Sequence, residues 1–204
     1  VKTYNMLEFD PDRTDGKWQM PALLPCSINV DRWIGFNYAK STIDPDAGIH
    51  FYLDDYQFER IWVNPARYID LLSNFKAVMT PSFSVYTDMA EPLKMWNVFR
   101  SRLIGQMMQD AGLKVIPIVY WADPKSFEYC FDGLPIRSTL STYAVGLKNP
   151  EVMKLWKLGM DELIKRKNPK TILLYGNGIM PDYDFGKIKV IQIKNEVTER
   201  MKQL

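Results

Sequence analysis

The sequence of 204 residues contains one histidine, two cysteines and no long apolar run. Because His50 stands alone, HExxH proteolysis and a zinc site with a second histidine are excluded. Cys26 and Cys130 lie far apart, each among apolar residues, which favours free buried thiols over a disulfide or a cysteine zinc site. No apolar stretch approaches the roughly 18 residues that a membrane span needs, so we expect no membrane partner.

Charge and phosphate-binding signatures are also sparse. The formal net charge is +2, so no general affinity for polyanions follows from charge alone. No GxxxxGK[ST] loop occurs, and Gly176-Asn177-Gly178 is too short for a GxGxxG fingerprint and reads equally well as a turn. The N-terminus shows no basic region followed by an apolar core, so a secretory signal is not expected.

Short β-rich runs alternate with amphipathic segments along the chain. The runs, several of them continuously apolar as in strands covered on both faces, are residues 23–28, 33–39, 49–53, 77–86, 115–121, 139–146, 171–175 and 190–193. Apolar spacing of three and four predicts helices over 91–111, 151–167, about 56–75 with a break near Asn64-Pro65, and 195–204. Asn149 is expected to cap the helix that begins near residue 151.

This alternation predicts an α/β fold with a mainly parallel sheet flanked by helices. Eight strands suggest a (β/α)₈ barrel, but that fold usually takes about 250 residues. The first three runs are separated by too few residues for crossover helices. We therefore expect an open sheet or an incomplete (β/α) barrel with hairpin-like N-terminal strands. Residues 1–22 read as a surface lead-in and 23–204 as a single α/β domain.

Carboxylates follow three of the predicted strands, where ligands of parallel α/β sheets bind. These residues, Asp54, Asp88 and Asp123, are the candidate catalytic residues for acid–base or metal-assisted chemistry. Asp54 and Asp123 are the candidate ligands of Mg²⁺ or Mn²⁺, which bind oxygen atoms. The alternative is helix capping, because Asp55, Asp88 and Asp123 all precede predicted helices.

A second group of candidates would bind a ligand. Arg100 lies near the apolar stripe of its predicted helix, and a buried guanidinium needs either an ion pair with an aspartate or an anionic ligand. Aromatic residues at strand ends can stack the bases of single-stranded nucleic acid, although most rings must fill the core. The ligand-binding candidates are Arg100, Arg102, Tyr86, Trp121 and Asn177.

Two other features have structural readings. His50 begins a strand, which favours a structural role over catalysis. The cations cluster in Lys165-Arg166-Lys167 and in Lys187, Lys189 and Lys194, where a solvated face is the ordinary interpretation and phosphate contact the alternative.

Three blocks of sequence carry a family resemblance. Residues 48–62 read GIHFYLDDYQFERIW, residues 96–102 read WNVFRSR and residues 127–135 read FEYCFDGLP. With them the chain resembles, from about residue 25 to 175, an uncharacterised domain-of-unknown-function family of bacterial phages and mobile elements. Members are sometimes labelled rolling-circle replication proteins, but this chain lacks the paired histidines of that metal site. The resemblance implies action in the cytoplasm of a bacterial host cell and identifies no catalytic residue.

Three functions of different classes stay open. The first is a nucleic-acid transaction in replication or maintenance of a mobile element, with metal-assisted phosphodiester chemistry if the protein is an enzyme. The second is a pocket for a nucleotide or another small anion, with Arg100 as its anchor. The third is a protein that blocks or recruits a host enzyme. The first two require the three aspartates and Arg100 to meet at one mouth of the molecule.

Overall fold

The computed structural model of the protein describes residues 4–176 and 180–194. Its strands are β1 (Thr14–Asp15), β2 (Met20–Pro21), β3 (Trp33–Gly35), β4 (Gly48–His50), β5 (Ala77–Met79), β6 (Val115–Ile116), β7 (Thr139–Ala144), β8 (Thr171–Gly176) and β9 (Lys189–Lys194). Its α-helices are α1 (Glu59–Val63), α2 (Pro65–Leu72), α3 (Glu91–Asp110) and α4 (Pro150–Lys167). Short 3-10 helices occupy Phe36–Tyr38, Asp55–Gln57 and Ser126–Glu128.

The strands from β3 to β9 run parallel, in the order in which the chain forms them. One sheet has the order β3-β4-β5-β6 and another the order β7-β8-β9, and a parallel bridge between Ile118 and Ser141 links the two. The longest pairing joins β7 to β8 from Thr139 with Thr171 to Ala144 with Gly176. Within the described residues β9 and β3 do not pair, so the sheet does not close into a barrel. The α/β class with a mainly parallel sheet is confirmed.

The N-terminal hairpin lies earlier in the chain than the three runs expected to form it. It consists of β1 and β2, which pair antiparallel with Thr14 opposite Pro21. The runs 33–39 and 49–53 instead contribute β3 and β4, which are parallel, because residues 36–47 between them supply the dozen or so residues that a parallel connection needs. The run 23–28 forms no strand, and its Leu23 N–H donates to the Gly133 carbonyl at 2.8 Å.

The helices follow local sequence signals closely. Helix α3 fills the segment predicted over 91–111, and the segment predicted over 56–75 is broken at Asn64 between α1 and α2. The Asn64 side chain accepts a hydrogen bond from the Arg67 N–H, and Pro65 takes the first position of α2, where its missing N–H is harmless.

Both ends of α4 also follow the sequence. Asn149 caps it by accepting hydrogen bonds from the N–H groups of Glu151 and Val152, as predicted. Asn168 ends it in the left-handed region at φ 43°. The helix predicted over 195–204 lies outside the described residues. None of the helices in the described ranges is both long and apolar enough to cross a lipid bilayer.

The core lies between the sheet and the helices, and part of the lead-in joins it. Met20 is buried, and the Gln106 side chain on α3 donates hydrogen bonds to the carbonyls of Arg13 and Ala22 at 2.7 and 2.8 Å. On the other side Gly159 of α4 meets the Trp121 ring, which leaves no room for a larger residue. The domain boundary at residue 22 stays a prediction.

Candidate functional site

A cleft of about 510 Å³ opens at the C-terminal ends of the parallel strands. This is the edge where ligands of parallel α/β sheets bind, and the volume lies within the roughly 300–1,000 Å³ of small-molecule sites. The residues that follow β4, β5 and β6, together with the ends of β7 and β8, form its wall. They are Tyr52, Leu53, Asp54, Gln57, Ser82, Phe83, Ser84, Val85, Tyr86, Tyr120, Tyr143, Val145 and Tyr175.

Tyrosine rings dominate this wall. The rings of Tyr52 and Tyr175 stack with their centroids 4.3 Å apart and an angle of 13° between their planes. Tyr86 is 61% exposed at the mouth, and its phenol oxygen lies 3.1 Å from Ser84 Oγ, whose one proton is donated to the Asp55 carboxylate. The cleft therefore combines a preformed pair of stacked rings with one exposed ring.

Three buried tyrosine hydroxyls belong to the wall, those of Tyr52, Tyr120 and Tyr143. The Tyr52 hydroxyl lies 2.7 Å from Ser141 Oγ, which itself donates to the Leu173 carbonyl at 3.0 Å, so Tyr52 is the donor of the pair. Burial raises the pKa of Tyr52, Tyr120 and Tyr143 above the ordinary tyrosine value. These hydroxyls stay protonated at neutral pH.

His50 contacts both members of the stacked pair. Its ring lies 5.0 Å from that of Tyr175, and its Nδ1 accepts the Tyr52 N–H at 3.2 Å, which places the ring proton on Nε2. Burial lowers the pKa of His50 to about 4. This imidazole is therefore neutral at pH 7. Among the described residues of the wall itself, Asp54 is the one formally charged side chain.

Asp54 and Asp55 have separate roles. Asp54 is exposed and lines the cleft, and its side chain makes no capping bond to the 3-10 helix that follows it. Helix capping was the alternative interpretation of Asp55, but its carboxylate instead accepts the Ser84 N–H at 3.0 Å and the Ser84 hydroxyl at 2.9 Å. This contact joins the segment after β4 to the segment after β5.

The other two candidate catalytic aspartates are not at the cleft. Asp123 accepts a hydrogen bond from Lys94 Nζ at 3.0 Å and from the Ser126 N–H at 3.0 Å, so it forms an ion pair and caps a turn. Asp88 is exposed, does not line the cleft and is not the N-cap of α3, which is Ala90. Of the three aspartates expected to converge, Asp54 alone lines this cleft.

A metal centre built on Asp54 and Asp123 therefore has little structural support. Asp123 is already engaged in an ion pair with Lys94, whose side chain is only 1% exposed. Across residues 4–176 and 180–194, no group of three or more histidine, cysteine, aspartate or glutamate side chains is placed to hold a metal ion. The residues described do not fit the Mg²⁺ or Mn²⁺ predicted from the sequence.

Arg100 is held by protein groups. It forms an ion pair with Glu59, donates to Asn97 Oδ1 at 2.7 Å and lies 3.8 Å from the centroid of the Phe83 ring. The ion pair anticipated for a buried guanidinium is present, but its partner is a glutamate on α1 and not one of the aspartates. The predicted role of Arg100 as an anchor for an anion is thus unsupported.

Arg102 is a structural clamp. Its side chain is 1% exposed and donates to the carbonyls of Ile118, Cys130 and Asp132 at 3.1, 3.0 and 3.2 Å. Three carbonyl acceptors satisfy the buried guanidinium without a carboxylate partner. Arg102 thereby fixes the segment around Cys130 to the chain after β6, and it does not line the cleft.

The other ligand-binding candidates lie in different places. Tyr86 lines the cleft, whereas Trp121 is buried in the core, with its ring centroid 5.9 Å from that of Phe131. Asn177 lies outside the described residues. Tyr143 and Tyr175 were missed, although each is the next-to-last residue of its strand, a position that could have identified them.

Orphan polar atoms lie next to the cleft. Within the described chain, Arg100 Nε, Ser101 Oγ and the Tyr120 hydroxyl are buried and have no hydrogen-bond partner. Ser101 and Tyr120 lie close together without a hydrogen bond of good geometry. Such atoms are uncommon in folded proteins and often mark a place where a water or ligand binds.

Residues 12–194 match the family described as Domain of unknown function (DUF4417). The chain belongs to this family. The Gene 1 protein of Mycobacterium phage L5 is 42% identical to it over 129 residues, which are 63% of this DUF4417 chain and 56% of the phage protein. The Gene 1 protein of Mycobacterium phage D29 is 34% identical over 163 residues, 78% of this chain and 60% of that protein.

These matches confirm the resemblance to a phage family of unknown function. They lend no support to the rolling-circle label. The DUF4417 chain spans 56% and 60% of the length of the two curated relatives. No solved structure is significantly similar to it.

Proposed function

We propose that this DUF4417 protein binds a nucleobase-containing ligand, with the base in the tyrosine-lined cleft. The observation that carries this proposal is that the stacked pair of Tyr52 and Tyr175 and the exposed Tyr86 ring line the same cleft. Stacking of a base on an aromatic side chain contributes about 1–3 kcal/mol. The amide of Gln57 lines the same wall and offers a donor and an acceptor for the edge of a base, and the Ser82 hydroxyl, which donates to the Phe51 carbonyl, offers an acceptor.

The charge of the cleft favours the base over the phosphate. Asp54 gives the described wall a negative charge, and no lysine or arginine contributes to that part of the wall. A phosphate in the cleft would meet Asp54 with no described cation to offset the repulsion. The base therefore enters and any phosphate stays in solvent, which differs from an anion pocket anchored by Arg100.

A free nucleoside, a nucleotide and a single strand of nucleic acid all present the same base to this wall. Action on nucleic acid in replication or maintenance of a mobile element stays part of the proposal through the single strand. Metal-assisted phosphodiester cleavage has weaker support, since Asp54 is the one predicted catalytic residue that lines the cleft.

Calorimetric titration with separate nucleosides, nucleotides and short single-stranded oligonucleotides tests the proposal. We expect at least one nucleoside to bind, and Tyr86→Ala to weaken it about fivefold or more, as the loss of one stacking contact implies. Tyr56→Ala is the matched control, because Tyr56 is 79% exposed and does not line the cleft. Failure of every base-containing ligand to bind would overturn the proposal, and so would binding of inorganic phosphate in competition with them.

A second candidate, binding of a host protein, rests on a different surface. Met6 and Trp18 are 44% and 43% exposed over an apolar groove that also involves Met95 and Trp96 of α3. Exposed apolar patches of this kind are typical of protein interfaces. A host protein that co-purifies with the parent and with Tyr56→Ser, but not with Trp18→Ser, would support this function. Equal retention by both variants would contradict it.

A further inference from the structure

Three cations surround one tyrosine on a face of the molecule formed by α1, α2 and the end of the first 3-10 helix. Lys40 Nζ lies 5.5 Å from the centroid of the Tyr68 ring, and the guanidinium carbons of Arg60 and Arg67 lie 5.7 and 5.9 Å from it. Arg60 also lies 5.0 Å from the centroid of the Phe36 ring. Lys40, Arg60 and Arg67 are exposed, and we call them the Tyr68 basic patch.

No carboxylate neutralises this patch within the described residues, where none of its three cations forms an ion pair. The nearest acids along the chain are engaged or face elsewhere. Glu59 pairs with Arg100, and Asp44 pairs with Arg32. Asp70 lines a separate groove against α3. The patch is a local concentration of positive charge on a chain whose formal net charge is only +2.

The aromatic rings organise these cations. Tyr68 is 7% exposed and its ring centroid lies 5.6 Å from that of Phe36, so the two rings form a fixed base. Arginine stacked on a ring covers it with its stem and leaves its N–H donors free at the edge. Two guanidinium groups held in this way present the planar donor geometry that binds phosphate in a bidentate manner. Cations gathered without a counterion repel one another, and an anionic partner relieves that repulsion.

We propose that the Tyr68 basic patch binds the phosphate backbone of nucleic acid. Two arginines and a lysine with no neutralising acid suit successive phosphates of a chain. A membrane surface is a poorer match, because polybasic lipid-binding segments carry about four to eight cations. Single strands and duplexes share the phosphate chemistry, and the experiment separates them. The patch is independent of the cleft, so the proposal holds whether or not a base enters the cleft.

Fluorescence anisotropy with a labelled oligonucleotide of about 20 nucleotides, single-stranded in one series and duplex in the other, tests the patch across a range of salt concentrations. The test variant carries Lys40→Gln, Arg60→Gln and Arg67→Gln. The matched control carries Lys114→Gln, Lys125→Gln and Lys154→Gln, which are exposed cations outside the patch and outside both cation clusters and which remove the same charge. We expect the test variant to bind at least about tenfold more weakly at low salt, and its slope of log K against log salt to fall by about 2 to 3.

The outcomes separate the alternatives. A larger loss of oligonucleotide affinity in the test variant than in the control supports the patch. The tighter-binding oligonucleotide shows whether the patch binds single-stranded or duplex nucleic acid. Equal loss in both variants, no binding to either oligonucleotide, or binding to anionic vesicles alone overturns it. If the triple variant unfolds, the single variant Lys40→Glu replaces it, since the charge of this exposed residue can be reversed without a change in the core. The Tyr86→Ala variant keeps the parent salt slope if cleft and patch are separate.

Discussion

Lys94 and Asp123 form an ion pair of 3.0 Å in which the lysine side chain is 1% exposed. The lysine also pairs with Glu91, one turn earlier on α3, and Glu91 accepts a hydrogen bond from the Tyr129 hydroxyl at 3.0 Å. Two carboxylates thus compensate one buried ammonium group. This arrangement explains why a carboxylate at the end of a strand serves the packing of α3 and is not free for chemistry.

Substitution of Asp123 separates its charge from its capping role. Asp123→Asn keeps an acceptor for the Ser126 N–H but removes the charge, and we expect a loss of about 1–2 kcal/mol in the free energy of unfolding, because Lys94 keeps Glu91. Asp123→Ala also removes the cap and should cost about 1 kcal/mol more. Urea unfolding measures both, with Asp88→Ala as an exposed control that changes little.

The hypothesis that Asp123 binds a metal ion can be tested with the same Asp123→Asn variant. If Asp123 bound Mg²⁺, the ion would raise the melting temperature of the parent and not that of Asp123→Asn. We expect no such difference. A rise confined to the parent would restore Asp123 as a metal ligand.

Elements set by local sequence were predictable, and contacts between distant residues were not. The break at Asn64 and the cap at Asn149 depend on neighbours within a few residues, so the sequence alone located them. Asp55 looks like any capping aspartate, yet its partner Ser84 is 29 positions away. The Tyr68 basic patch could not be predicted for the same reason. Its cations are dispersed in the sequence and come together only in the fold.

The position of the cleft was predictable from the sequence, but most of the residues that line it were not. The rule that ligands bind at the ends of parallel strands led to the edge where the cleft lies. Of the ligand-binding and catalytic candidates, Asp54 and Tyr86 line it. Charged residues are easily identified in a sequence, but their ion-pair partners are not. Arg100 is not free to bind an anion because it pairs with Glu59, which lies 41 positions away.

Burial of His50 predicts a stability that changes with pH. Because burial lowers its pKa from 6.5 to about 4, the unfolded chain binds a proton between these values that the folded protein does not. Stability from this group is therefore complete above pH 6.5 and is lost as the pH falls towards 4, by about 3 kcal/mol in total. Urea unfolding of the parent and of His50→Gln at pH 7.5 and pH 5 measures the effect. The difference in the free energy of unfolding between the two proteins should be smaller at pH 5 than at pH 7.5. A difference that stays constant would show that His50 titrates normally in the folded state.

Removal of Arg102 should destabilise the protein strongly. Arg102→Met leaves the carbonyls of Ile118, Cys130 and Asp132 without their donor in a buried place, and we expect a loss of about 3 kcal/mol or more. Arg102→Lys should not restore the parent stability, because an ammonium group cannot reproduce the planar fork that reaches all three. Denaturant unfolding measures both variants, and Arg67→Met is the control, since Arg67 is exposed. Parent-like stability of Arg102→Met would return Arg102 to the list of ligand-binding residues.

The packing of α4 on the Trp121 ring decides whether that tryptophan belongs to the core or to a ligand site. A Cβ atom at Gly159 would lie 2.1 Å from Trp121 Cε2, so Gly159→Ala must displace the ring or the helix. We expect a loss of about 1–3 kcal/mol, the usual cost of overpacking, even though alanine favours helix formation more than glycine does. Lys154→Ala on the exposed side of the same helix is the control and should change stability little. Thermal unfolding and tryptophan fluorescence measure the result. If Gly159→Ala left both unchanged, the ring would be mobile enough to meet a ligand, and its place in the core would be wrong.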